Sequence, residues 1–114
     1  MLFRSGNSLV PTITACSPAS LSKVAILANL GASIQVSGTN FLPNSTWDLM
    51  TSANPPVLVS ALAIAKDVDS TRVQLTVPEA VGNVGNPAAG DYAIRITNPL
   101  GAVVISGPIL KLTA

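Results

Sequence analysis

Candidate catalytic side chains are few in this chain of 114 residues, which contains no histidine. General acid–base chemistry would depend on its five carboxylates, which are Asp48, Asp67, Asp69, Glu79 and Asp91. A serine or cysteine nucleophile needs a neighbouring base to become reactive, and histidine is the usual one. Because only two of the carboxylates are close in sequence, we expect no enzyme activity and no catalytic residue.

The close pair of carboxylates, Asp67 and Asp69, is also the best candidate for a metal site. A calcium loop needs further oxygen ligands at fixed spacing and usually a later glutamate, but residues 70–72 read Ser-Thr-Arg. Cys16 is the single cysteine, so an intrachain disulfide is impossible, and we expect a buried structural thiol. The sequence therefore predicts no metal, no cofactor and a solvated turn at residues 67–69.

Composition excludes further classes of function. Charged residues make up 10% of the chain, against about 25% in ordinary proteins. The six basic residues are scattered and form no patch of the kind that nucleic acids require. No apolar run reaches the roughly 18 residues of a membrane-spanning helix. We therefore expect one domain that binds no nucleic acid and does not span a membrane.

Alternating apolar and polar residues, the pattern of half-buried strands, recur along the chain. Strands are predicted at residues 10–15, 32–37, 46–51, 57–65, 72–77, 92–97 and 103–112, the last interrupted by Pro108. This pattern predicts an all-β, antiparallel sandwich of about seven strands, with Trp47 at the centre of its core. Tyr92 is either a tyrosine corner, whose hydroxyl binds nearby backbone, or a plain residue at the core edge.

Three short motifs resemble those of the IPT/TIG domain family, an immunoglobulin-like family of the E-set type. Residues 36–41, Val-Ser-Gly-Thr-Asn-Phe, resemble its V-x-G-x-x-F core, and residues 90–101 contain a strand that ends in Thr-Asn-Pro-Leu-Gly. Residues 11–18 resemble the Pro-x-Ile start of the family, followed by Ser-Pro. The motifs occur in the order of the family, and the resemblance covers about residues 11–113.

The resemblance implies an immunoglobulin-like fold and a non-catalytic structural or interaction module. Such domains serve as spacers or protein-binding units in bacterial surface and phage virion proteins, so the implied location is extracellular, at a cell surface or in a virion. Residues 21–30 depart from the family, which usually has a short glycine-rich loop there. Residues 19–30 fit a short helix with Ser20 as cap, or an irregular loop with a brief strand, which the resemblance favours.

Domain boundaries follow from the same observations. Residues 11–114 are predicted to form the single sandwich, and residues 1–10 a tail or linker. Residues 1–5 read Met-Leu-Phe-Arg-Ser, and a common sequencing-library adaptor encodes the last four of these residues in one frame. We therefore expect residues 1–5 to be artefactual.

The predicted strand at residues 57–65 is apolar on both faces, so one face must meet something other than the core. We expect neighbouring domains or protein subunits to dock there and not on a loop cleft, unless residues 21–30 cover it. The candidate surface residues are Val57, Leu58, Val59, Ser60, Leu62 and Ile64. The alternative function is a carbohydrate-binding accessory domain of a glycan-active or adhesive protein, which an exposed Trp47 would favour.

Overall fold

The structure, a computed structural model, describes residues 10–83 and 87–114, except the side chains of Asp67 and Val68. The predicted tail, apart from Val10, therefore lies outside the described residues, as does the side chain of Asp67 in the predicted carboxylate pair.

Nine strands and two short helices form the described part of the chain. The strands are β1 Thr12–Ser17, β2 Ser20–Ser22, β3 Gly31–Thr39, β4 Thr46–Thr51, β5 Leu58–Asp69, β6 Arg72–Pro78, β7 Gly90–Thr97, β8 Val103–Ile105 and β9 Leu110–Thr113. The helices are α1 Lys23–Ala28 and a 3-10 helix at Glu79–Gly82. The count exceeds the predicted seven because β2 is added and because the last predicted strand forms two strands on either side of Pro108.

The strands form two antiparallel sheets that share β5. The first sheet has the order β1-β3-β6-β5 and the second the order β5-β4-β7-β9-β2, with β8 also pairing β7. The first half of β5 pairs with β4, and from Ala63 onward β5 pairs with β6 instead. Strands that change sheet in this way form the corners of sandwiches. The exception to the antiparallel order is β2, which pairs with β9 in parallel.

The core lies between the two sheets and follows the predicted alternation. Trp47 is 2% exposed, and Leu49, on the same face of β4, is fully buried. The Phe41 ring meets the Trp47 ring edge to face, with centroids 4.8 Å apart, an arrangement that adds to the gain from burying both rings. Cys16 is buried as predicted. The placement of Trp47 in the core is therefore confirmed.

Residues 19–30 contain both structures that the sequence left open. Strand β2 is followed by helix α1, and the cap is Ser22, whose hydroxyl accepts from the Ala25 N–H at 3.2 Å, not Ser20 as predicted. The helix packs on β3 and on the 3-10 helix, because Gly82 allows close approach: a side chain there would meet the Lys23 carbonyl at 2.6 Å. Residues 21–30 thus contain more regular secondary structure than the predicted loop.

The sandwich has two distinguishable ends. At the first, here called the motif end, β1 and β6 begin and β3 and β7 finish, so that Thr12 pairs with Thr39 and Thr46 with Thr97. At the second, here called the groove end, lie α1, the 3-10 helix and the beginnings of β5 and β7. These two ends differ in packing and in exposed chemistry.

Candidate interaction site

A groove of about 750 Å³ opens at the groove end of the sandwich. One wall is the start of β5, residues 57–60, and the other is formed by the 3-10 helix and the chain that follows it. Thr51 and Tyr92 line the groove between these walls. The remaining lining residues are Ala80, Val81, Asn83, Pro87 and Ala88. No charged side chain is among these lining residues.

The groove exists because β5 leaves β6 before β6 ends. The register pairs Ala63 with Thr76, so two further steps would bring residues 62 and 61 opposite Val77 and Pro78. Pro78 has no N–H to donate to such a ladder. On the other edge of β6, Pro78 pairs with Gly31 of β3. The chain then turns into the 3-10 helix while β5 pairs with β4, and the space between them stays open.

Two side chains fix the wall opposite β5. The ammonium of Lys23, which is 6% exposed, donates to the Pro87 carbonyl. The Tyr92 hydroxyl donates to the Ala88 carbonyl, four residues upstream. This is the bond of a tyrosine corner, so that alternative is the correct one. A tyrosine hydroxyl is protonated and can donate at neutral pH, and burial raises the pKa of Tyr92 above its ordinary value.

The structure separates the six predicted surface residues into three groups. Val57 and Leu58 are 59% and 53% exposed, and Ile64 is 37% exposed. Val59 and Ser60 are half-buried, and Val59 packs against the core. Leu62 is 5% exposed and belongs to the core, opposite Trp47 in the ladder, so its assignment to the surface is wrong. Leu62 points inward because its register places it on the Trp47 face.

The expected contrast between a β5 surface and a loop cleft also needs correction. Residues 57–60 and the chain near Pro87 and Ala88 line the same groove, so the two sites are opposite walls of one feature. The sequence could not show this, because the two walls are far apart along the chain and come together only where the pairing of β5 with β6 ends.

Further apolar residues at the groove end were not singled out from the sequence. Helix α1 buries Lys23 and Ile26 and exposes Val24, which is 67% accessible, together with Leu27. Leu30, just after the helix, is also exposed. The one charged side chain of the helix is thus buried while three large apolar residues face outward. Helical spacing alone would have suggested that Val24 faces the core. The buried face instead carries Lys23 and Ile26, which are three residues apart, so Val24 faces outward.

Close packing at the motif end explains why the motif at residues 36–41 contains a glycine. A side chain at Gly38 would lie 1.8 Å from the Thr12 carbonyl oxygen and 2.8 Å from the Phe41 ring. Glycine is therefore required for β1 and the Phe41 ring to pack where they do. The Phe41 N–H donates to the Ser70 carbonyl at 2.9 Å, which fixes the chain just after the glycine.

A buried asparagine links two of the three motifs. Asn98 is 1% exposed, and its Oδ1 accepts from the Ser45 hydroxyl at 2.5 Å. Its Nδ2 donates to the Asn40 carbonyl at 3.4 Å. Its carbonyl accepts from the N–H of Gly101 at 2.8 Å, where φ is +101°, a value that favours glycine. Buried polar groups need such partners, so these residues maintain structure.

Among the remaining ionisable groups of the described residues, two carboxylates interact with local partners and a thiol is buried. Asp48 follows Trp47 on β4 and therefore lies on the opposite face of the strand, where its carboxylate pairs with Arg95 at 2.9 Å. The Asp69 carboxylate accepts from the hydroxyl and N–H of Thr71 at 2.6 and 2.7 Å, and these bonds lower its pKa. Burial raises the pKa of the Cys16 thiol to about 11. No group of three or more His, Cys, Asp or Glu residues lies together in the described part of the chain.

No aromatic residue of the described chain presents a ring for stacking on a sugar. Trp47, Phe41 and Tyr92 are all buried, and Phe3 lies outside the described residues. None of the helices in residues 10–83 and 87–114 is long and apolar enough to cross a membrane. The arrangement can offer shape, apolar surface and backbone hydrogen bonds, which are the means of binding a protein.

Comparison with solved structures identifies the fold. The chain is similar to the solution structure of the TIG domain from human nuclear factor of activated T-cells, cytoplasmic 4, with a TM-score of 0.62 and 23% identity. The match covers 96% of this chain and 91% of that one. The RIG-5 IG1 homodimer matches at 16% identity with a TM-score of 0.43, over 91% and 96% of the two chains. No protein-family model and no curated protein matches the sequence. The fold is therefore the immunoglobulin-like fold of TIG domains.

Proposed function

We propose that this chain is a non-catalytic interaction module with a TIG-type sandwich, which binds a neighbouring protein domain or subunit through the start of β5. The observation that carries the proposal is the exposure of Val57 and Leu58 directly beside an uncharged groove. Large apolar side chains that cluster on a surface mark interaction sites more often than isolated ones do.

The arrangement of ionisable groups supports the non-catalytic part of the proposal. The carboxylates of Asp48 and Asp69 are occupied by local partners, and the thiol of Cys16 is buried with a raised pKa. A nucleophilic cysteine needs the opposite shift, toward the thiolate. None of these groups lines the groove, so the groove offers binding without acid–base chemistry.

The wider setting is also part of the proposal. We place the module in a bacterial surface protein or a phage virion protein, as a spacer or binding unit outside the cell. The low charged fraction of 10% and the resemblance of the three motifs support this setting. Neighbouring genes distinguish the two: tail or capsid genes would indicate a virion, and repeated sister domains or an anchor would indicate a cell surface.

The docking proposal is tested by photo-cross-linking in cells that express the parent gene. A photoreactive amino acid at position 58 is expected to cross-link a partner, whereas the same group at position 100 is not. Leu100 is a suitable control because it is 66% exposed and lies at the motif end. The purified partner is then titrated against the wild type, Leu58→Glu and Leu100→Glu.

The expected result is at least tenfold weaker binding for Leu58→Glu, because a carboxylate would lose its hydration in an apolar contact, and less than twofold for Leu100→Glu. Thermal melts check that both variants fold. An equal loss of partner affinity in both variants would show that the partner docks elsewhere. A loss of affinity only with Ala89→Glu, in the loop beyond the groove, would show the same.

A further inference from the structure

The edge of β5 beside the groove is unpaired over residues 58–62. Along this stretch β5 pairs with β4 on one edge, and the strand order places β6 on the other edge. Because β6 pairs only from Ala63 onward, no strand of the described chain covers that second edge at residues 58–62. Edge strands of this kind present N–H and C=O groups that another strand can pair with.

The uncharged walls of the groove restrict what could pair there. The side chains that line the groove include Val57, Val59, Ala80 and Val81, and the polar ones among them, such as Ser60 and Asn83, are uncharged. None therefore carries a charge that could pair with a buried one. A charged segment would lose its hydration without gaining a partner. The five residues of the open edge are about 17 Å long at roughly 3.3 Å per residue, which suits a short extended segment with small or apolar side chains.

The same geometry disfavours a second copy of this chain as the occupant. The 3-10 helix stands opposite the open edge, because its residues Ala80 and Val81 line the same groove as residues 57–60. Two folded copies would each bring such a wall toward the other before their edges could meet. An extended segment has no 3-10 helix beside its edge and can enter the groove.

We propose that the open edge of β5, residues 58–62, binds an uncharged extended segment of a partner protein by strand addition. This inference rests on the proposed function and adds the form of the partner: main-chain hydrogen bonds supply affinity, and alternate side chains entering the groove supply selectivity. The hydrogen bonds from Lys23 and Tyr92 hold the opposite wall in place, so the groove is formed before the segment arrives.

The test uses the full chain, labelled with ¹⁵N, and a capped synthetic peptide of sequence Ser-Thr-Val-Thr-Val-Thr-Ser, which carries no charge. Two matched peptides carry N-methyl groups, one on the threonines and one on the valines, so that each blocks the donors of a single strand edge. We expect saturable shifts of the amide signals of residues 58–62 with the parent peptide. One methylated peptide should bind within twofold of the parent, and the other at least tenfold more weakly.

Several outcomes would overturn the inference. These are no saturable shift at 1 mM peptide, equal affinity of all three peptides, shifts confined to the motif end, or sedimentation that shows dimers joined through this edge. Failure of the peptide test together with a loss of partner binding in Leu58→Glu would leave the proposed function intact and remove only the strand-addition mode.

Discussion

The motif end and the groove end of the sandwich are built from the same strands but differ in how they are closed. At the motif end, Gly38 and Phe41 pack without space for one added methyl group, and Asn98 links two turns through buried hydrogen bonds. At the groove end, the sheets separate and leave a groove of about 750 Å³ beside exposed apolar residues. Three residues of the family-like motifs, Gly38, Phe41 and Asn98, therefore lie at the end that is closed by tight packing and buried hydrogen bonds.

This difference indicates how the two ends can vary. Close contacts and buried polar partners at the motif end tolerate few substitutions, because each change leaves a cavity, a clash or an unpaired group. The groove end depends on two side-chain bonds to backbone carbonyls, from Lys23 and Tyr92. We expect substitutions at the motif end to act on stability and those at the groove end to act on binding.

The largest expected effect is that of Trp47→Ala. This change should lower the free energy of unfolding by about 3–5 kcal/mol, because the cavity cannot close fully around Phe41. The matched change at the groove end is Val81→Ala, at a residue that is also buried. This change should lower the free energy of unfolding by about 1–2 kcal/mol, since it removes two methyl groups. Urea denaturation measures both values. A denaturation midpoint for Trp47→Ala equal to that of the wild type would contradict its central place in the core.

The second comparison uses two glycines, one at each end. Gly38→Ala should destabilise the fold by about 3 kcal/mol, because the added methyl overlaps the backbone of β1 within a hydrogen-bonded ladder. Gly82→Ala also meets backbone, at 2.6 Å from the Lys23 carbonyl, but helix α1 can shift outward, so about 1 kcal/mol is expected. If thermal melts show that both variants lose the same stability, the groove end is as rigidly packed as the motif end.

The third prediction concerns pH and the thiol of Cys16, on a strand that runs from the motif end toward the groove end. Its pKa in the folded state is raised from 9.0 to about 11. The contribution of the buried neutral thiol to the free energy of unfolding is therefore complete below pH 9 and is lost as the pH rises toward 11. The loss should be roughly 2–3 kcal/mol. Chemical denaturation at pH 8 and pH 11 should show this loss in the wild type, and a smaller one in Cys16→Ala, which removes the titrating group. The same pH dependence in both proteins would show that other groups are responsible.

The smallest expected effect is that of Tyr92→Phe at the groove end. It removes the hydrogen bond to the Ala88 carbonyl and should cost about 1 kcal/mol, the usual value for one such bond. Amide hydrogen exchange should become faster near Ala88 and remain unchanged near Asn98. Faster exchange at both ends would mean that the two ends unfold together and are not independent.

Much of the fold could be predicted from the sequence because the side chains alternate cleanly. The register that places Val73, Leu75 and Val77 inward is visible as a period of two, and these residues are buried. The breaks between strands were also visible, since proline and glycine interrupt the pattern. Local chemistry sufficed here, because each strand buries one face and exposes the other.

The groove could not be predicted in the same way. It depends on where β5 changes partner, which is set by contacts between strands and not by the composition of residues 57–65 alone. The burial of Lys23 could not be predicted from the sequence either, since lysine is rarely buried. Its hydrogen-bond acceptor is a backbone carbonyl, which any residue could supply. The sequence did indicate that residues 57–65 are too apolar for a single buried face, and residues 57–60 of this stretch line one wall of the groove.

The exchange of partners by β5 has a mechanical consequence. Val10 lies at the motif end, where its carbonyl accepts from Asn40, and Ala114 follows β9 at the groove end, where Leu112 pairs with Gly90. A tensile load applied between these two points acts along the strands and therefore shears their perpendicular hydrogen bonds together instead of unzipping them in turn. Since β5 bonds to both sheets, the load passes between the sheets through covalent backbone and not only through side-chain packing.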